Sequence, residues 1–158
     1  RIGTPWLEQK YHAELEREPY FITLQAGEKR FSVGVFHAVP ASKHPEYEIP
    51  YLAQIADGKS ESRLIFCGDF NCPQSNTSFQ PLRSAGYSSA LTKQKTTLKN
   101  KPVGNECLAS EFDNIFYPTR SITAVEAGII PFYKSFQSLP EARTISDHLP
   151  VFMRFSLN

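Results

Sequence analysis

Two apolar runs in this sequence meet ionisable side chains at one end. Leu64-Ile65-Phe66-Cys67 leads into Gly68-Asp69-Phe70-Asn71, and Ser146-Asp147-His148 leads into Leu149-Pro150-Val151. Carboxylate, amide and imidazole groups at neighbouring strand ends suit metal-assisted hydrolysis of a phosphate ester. That chemistry needs a holder for a hard cation, a group that positions the attacking water, and a route for the leaving oxygen's proton. Asp69 and Asn71 lie two residues apart, so in extended backbone both lean to one side. One of the pair can then orient water or metal while the other donates to a phosphate oxygen; the alternative is a local Asx-turn. Asp113 opens a third run, Asp113-Asn114-Ile115-Phe116-Tyr117. A carboxylate there can hold the His148 imidazole in one tautomer and stabilise its protonated form. In an extended segment Asp147 points away from His148, toward a metal if His148 faces the phosphate. His37 closes the run that begins at Phe31 and is either a structural strand-end residue or a second histidine of the site. His12 and His44 lie in polar surroundings and read as surface residues.

A net charge of +1 carries no overall electrostatic footprint of a nucleic-acid binder. Its distribution is uneven. Residues 70 to 105 contain no Asp or Glu but hold Arg83, Lys93, Lys95, Lys99 and Lys101. This window is either a solvated basic loop or a phosphate-facing rim, with Lys95 and Lys99 as phosphate contacts. The three cysteines match no zinc spacing. Cys67 reads as a buried apolar residue. Cys72 and Cys107 fall in loops, and either form a disulfide, which would lean toward a secreted or periplasmic setting, or remain free thiols.

Side chains of this kind need a rigid scaffold, and 158 residues with 41% apolar and 21% charged content are enough for one globular domain. The 12 Phe and 7 Tyr, mostly beside Val, Ile and Leu, favour strands over long helices. No apolar stretch approaches the roughly 20 residues of a membrane-spanning helix. Residues 6 to 16 have helix-forming composition, ended by Glu18-Pro19. Residues 20 to 24 and 31 to 39 are expected to form a hairpin across Gly27, and residues 47 to 57 a helix stopped by Gly58. Residues 63 to 67 then form a central strand, which makes a strand-helix-strand crossover. A short helix within residues 74 to 86 and strands at 96 to 98, 113 to 117, 122 to 125 and 151 to 155 complete the expectation.

Gly68-Asp69-Phe70-Asn71, Asp113-Asn114-Ile115-Phe116 and Ser146-Asp147-His148-Leu149-Pro150-Val151 occur in the order and near the spacing of motifs in a known superfamily. The sequence resembles the endonuclease/exonuclease/phosphatase superfamily, the DNase I-like phosphodiesterases, over about residues 17 to 156. Phe36-His37-Ala38-Val39-Pro40 and Arg17-Glu18-Pro19-Tyr20 look like further segments of its DNase I branch. The resemblance implies an α+β fold, a layered β-sandwich flanked by helices. Residues 1 to 158 would form a single partial domain, the C-terminal half to two-thirds, with the N-terminal half absent. By the same resemblance, Asp69 and Asn71 bind the phosphate and position water, and His148 with Asp113 acts as general base or phosphate-polarising group. Asp147 together with Asp69 would hold a metal, His37 would be the second histidine, and Arg17 a backbone-phosphate contact. The implied cofactor is Mg2+, with Mn2+ or Ca2+ as alternatives.

The family's metal-binding Glu and early Asn have no counterpart here, since Glu8, Glu14, Glu16 and Glu18 lack the strand context of that position. The expectation is therefore a magnesium-dependent, DNase I-like nuclease site whose isolated fragment has little activity. A phosphatase or phospholipid phosphodiesterase of the same superfamily, or a non-catalytic phosphate- or nucleic-acid-binding remnant, is the alternative. A half sandwich also leaves an apolar sheet face for the missing half or a second copy to cover.

Overall fold

The computed structural model describes residues 1–59 and 63–158. In chain order come β1 (Ile2–Leu7), β2 (Tyr20–Ala26), β3 (Lys29–His37), α1 (Tyr51–Asp57) and β4 (Leu64–Asp69). α2 (Gln80–Ser84), β5 (Tyr87–Ser89), β6 (Leu98–Val103), β7 (Glu106–Leu108) and β8 (Asp113–Pro118) follow. The chain continues through β9 (Ile122–Ile129), α3 (Leu139–Arg143) and β10 (Val151–Leu157). Strands dominate and the helices are short, an α+β arrangement.

β2 and β3 pair as a hairpin across Gly27, and α1 carries the chain over to β4, which lies parallel to β3. Pro50 sits at the N-cap of α1, a place where its missing N–H costs nothing. Pairing of β1 with β2 and of β8 with both β4 and β5 completes a six-stranded sheet in the order β1-β2-β3-β4-β8-β5. β9 and β10 form a separate antiparallel pair, and β6 and β7 a small ribbon.

Alternation along β4 divides the core. Leu64 and Phe66 enter one cluster with Leu52 and Ile55 of α1, Leu82 of α2, and Phe21, Phe36, Phe70, Phe79 and Phe116. Phe79 stacks on Phe116 with centroids 4.6 Å apart, and Phe70 meets Phe116 edge-on at 5.0 Å. Ile65 and Cys67 face the other way, into a cluster with Ile115, Ile122, Val151, Met153 and Phe155, so the β9–β10 pair forms a second layer. That layer reaches Phe31 and Val33 on β3, where Phe31 meets Phe155 edge to face, but leaves the other end of the hairpin open. Val35 on β3 and its cross-strand partner Tyr20 on β2 lie on the same sheet face and are 51% and 45% exposed.

Several expected elements differ. No helix forms over residues 6 to 16; residues 2 to 7 pair with β2 instead, and beyond them only a single turn forms, with the N–H groups of Glu14 and Leu15 donating to Tyr11 O. Tertiary strand pairing overrides helix-forming composition there. Of the strand expected at residues 96 to 98, only Leu98 belongs to one, and β5, β7 and α3 add elements that the sequence pattern did not suggest.

Candidate active site

Sheet register gathers three of the expected residues. Along the parallel β3–β4 pair His37 is opposite Asp69, and along the antiparallel β4–β8 pair Asp69 is opposite Asp113. Cross-strand partners share a face, so the three side chains form a row on the β9–β10 side of the sheet. For His37 and Asp69 this is the carboxyl end of two parallel strands, where side chains clear the sheet. His148 arrives from the segment before β10. It is anchored by a bridge to Thr97, with Leu149 N–H donating to Thr96 O at 2.7 Å and Leu98 N–H to Asp147 O at 2.7 Å.

The His148 ring is held by Asp113, whose Oδ2 and Oδ1 lie 2.9 and 3.1 Å from Nδ1. Nε2 therefore faces Asp69, at 3.9 Å from Oδ2. On the other side His37 Nε2 is 3.5 Å from the same oxygen. Asp113 is itself fixed from behind: the Thr96 hydroxyl donates to Oδ2 at 2.7 Å and accepts from the N–H groups of Phe112 and Asp113 at 3.2 and 2.9 Å. The hydrogen bond that His148 donates to Asp113 raises the His148 pKa above its ordinary value, while partial burial pulls against it. Burial pushes the Asp69 carboxyl up; the hydrogen bond from Asn71 N–H opposes this, and the Asp113 charge adds to it.

Of the arrangements considered for Asp69 and Asn71, the Asx-turn is the one formed. Asn71 N–H donates to Asp69 Oδ1 at 2.8 Å, an Asx-turn, while Oδ2 stays between the two histidines. Asn71 has φ of 48°, so it does not continue the strand, and its Nδ2 donates to Ala38 O at 3.0 Å. Arg17 joins on the same side: Nη2 donates to Ala38 O at 2.9 Å and Nη1 lies 3.0 and 3.1 Å from the two ring nitrogens of His37. Gly68 allows this end of the sheet to close. With φ of 140°, a Cβ at this position would sit 2.0 Å from Phe36 O, which only glycine avoids.

Other expected residues lie apart from this cluster. Asp147 is exposed and its carboxylate is 3.5 Å from Arg143, four residues earlier at the end of α3. It is not one of the three residues whose ligand atoms converge. Lys95 and Lys99 both pair with Glu106 on β7 and hold its carboxyl down at about 2, so one acid just beyond the basic window engages two of its lysines. The Cys72–Cys107 disulfide is not formed. All three cysteines are free; Cys72 is buried in the cluster with Phe70 and Phe79, whereas Cys107 packs beside Leu98 and Leu139. The lean toward an oxidising compartment loses its basis with that bridge. Thr96, fully buried behind Asp113, is a site residue that sequence reasoning missed.

Ligand atoms of Asp69, Asp113 and His148 all lie within 4.8 Å of one another, close enough to hold a metal ion. Much of that set is already engaged, because Asp113 is bonded to both Thr96 and His148. Asp69 Oδ2 is the carboxylate oxygen that remains toward the open side. A magnesium-like ion needs one or two carboxylates when water and phosphate oxygens complete its shell, so Asp69 fits the first of these positions. The residues fit such an ion only in part, since Asp147 turns to Arg143.

No family model matches the chain, and no curated protein matches it. Solved structures do. A humanised TDP2 of D. rerio superposes with a TM-score of 0.69 at 14% identity, over 97% of this chain and 66% of that one. The 3′ phosphatase NExo from Neisseria, bound to a product DNA hairpin, gives 0.66 at 12% identity, over 96% and 70%. An endonuclease/exonuclease/phosphatase from Bacteroides vulgatus gives 0.61 at 17% identity, over 92% and 58%. The DNase I-like fold implied by the motifs is thus the fold of this chain, which spans between 53% and 70% of the length of such structures.

Proposed function

We propose that the chain carries the hydrolytic centre of a metal-dependent phosphodiesterase, acting by in-line attack of water on a phosphate ester, with nucleic acid as the leading substrate class. The observation that carries this reading is the row His37–Asp69–Asp113 with His148 set into it, His148 Nδ1 tied to Asp113 and Nε2 directed at Asp69. With Nδ1–H donated to Asp113, Nε2 is the nitrogen free to exchange a proton with water or to hydrogen-bond a phosphoryl oxygen. Asp69 Oδ2, between two imidazoles, accepts from the attacking water and fixes its direction. Arg17 and His37 line the side on which phosphate charge needs a partner. A divalent cation, when bound beside Asp69, neutralises phosphate charge. Similar folds include a phosphatase seen with product DNA, which supports phosphate-ester chemistry on nucleic acid while leaving phosphatase action as the alternative.

On this reading the rest of the metal site, and a cover for the apolar strip around Tyr20 and Val35, come from further chain or a second copy, and residues 1 to 158 form one partial domain. A plasmid-nicking assay with and without Mg2+ tests it. With the rest of the site supplied, Asp69→Ala and His148→Ala each lower turnover by about 10²–10⁴-fold, and the 158-residue chain alone nicks feebly. Wild-type rates in both variants would sink the site assignment.

A further inference from the structure

Next to His148 a cleft of about 590 Å3 opens between the turn that carries Phe132 and Phe136 and the segment that carries Ile145, Leu149 and Pro150. Its walls are almost wholly apolar. Phe132 and Phe136 meet edge to face, with centroids 6.0 Å apart and planes at 88°, and Ile145 is 69% exposed. Leu149 is buried beneath, in a cluster with Leu98, Leu139 and Ala142 that fixes this wall to α3 and β6. Apolar side chains left in water beside a polar cluster lose the stabilisation of burial until something covers them.

We infer that this wall is a stacking subsite for an unpaired nucleobase adjoining the phosphate that His148 addresses; the placement rests on the hydrolytic reading of His148, while the binding does not. The cleft offers rings and methyl groups but few hydrogen-bonding groups, so it recognises the flat face of a base and not its edge. Such contacts are sequence-tolerant. The charge around it suits the flanking phosphates. Lys134 lies exposed on the same turn, and Tyr133 of that turn lines a neighbouring cleft with Lys93 and Lys95. Neither Lys93 nor Lys134 has an ion-pair partner among the described residues. A membrane-inserting loop would present a convex apolar tip, whereas these side chains line a concavity.

The test is binding without turnover. Fluorescence anisotropy compares a labelled single-stranded phosphorothioate oligothymidylate with an abasic sugar-phosphate strand of equal length, at fixed salt. The base-bearing strand should bind about tenfold more tightly, as expected for one stacked base. Phe136→Ala and Ile145→Ser should each remove most of that ratio and leave the abasic strand's affinity unchanged; Ile145 is exposed, so its replacement does not threaten the fold. Asp69→Ala, at a hydrolytic residue that does not line the cleft, should keep the ratio, which separates this subsite from the hydrolytic reading. Equal affinity for the two strands would overturn the inference. So would binding to phosphatidylglycerol vesicles that Ile145→Ser abolishes, without any preference for bases, because the wall would then serve a lipid surface.

Discussion

The two faces of the six-stranded sheet are built to different standards. One is sealed: Phe21, Phe36, Phe66, Phe70, Phe79 and Phe116 are at most 1% exposed beneath α1 and α2. The other is covered by β9 and β10 over β4, β8 and the start of β3, and leaves Tyr20 and Val35 in water. His37, Asp69 and Asp113 stand on this second face, at the end where the sheet opens. The sealed face holds the strands in register. The less covered one leaves room for chemistry and for whatever completes the layer.

The contrast breaks most visibly on the sealed side. Phe66→Ala removes a fully buried ring and should cost about 3–5 kcal/mol in urea unfolding. A loss below about 1 kcal/mol would mean that this face is not the main source of stability. Next in size is Thr96→Val. It removes the hydroxyl that donates to Asp113 and accepts two backbone N–H groups, at a cost of about 1–3 kcal/mol. The same change loosens Asp113 and should weaken its hold on His148. On the open face, Val35→Thr should shift stability by no more than about 0.5 kcal/mol. If that strip is normally covered, this variant should reduce self-association in sedimentation velocity; unchanged stability with unchanged association would leave the strip without a partner.

Much of the scaffold was legible because its signals are local. The hairpin across Gly27 and the β3-α1-β4 crossover follow from apolar runs, a turn glycine, Pro50 and Gly58. The site's main pairing was legible too, since Asp113 and His148 each lie in a recognisable motif. Other features depend on packing that no local pattern encodes. The side chain of Thr96 lies behind Asp113 only because the segment before β10 bridges back to Thr97. Asp147 turns toward Arg143 only because α3 ends there. The segment over residues 6 to 16 misled because its helix-forming composition says nothing of the β-strand partner that claims residues 2 to 7. The aromatic wall beside His148 comes from residues separated by about a dozen positions and an intervening helix.

Coupling between Asp113 and His148 also has a pH signature. The folded pKa of His148 is raised, so the pair's contribution to stability is fully present below the ordinary histidine value of about 6.5 and is lost as pH rises through the folded value. Asp69 acts in the same sense despite being an acid. Its folded pKa is raised by burial, so stability gained at low pH is lost as pH rises through that value. Lowering pH from 8 toward 6 should therefore stabilise the wild type through His148, and Asp113→Asn should remove most of that gain in thermal unfolding.

Following the His148 ring by NMR through a pH titration of the metal-free protein, for wild type and Asp113→Asn, tests the central claim most directly. The Asp113–His148 pairing predicts a wild-type pKa above the ordinary histidine value and a clear fall in the variant. An ordinary pKa that does not respond to Asp113→Asn would contradict it.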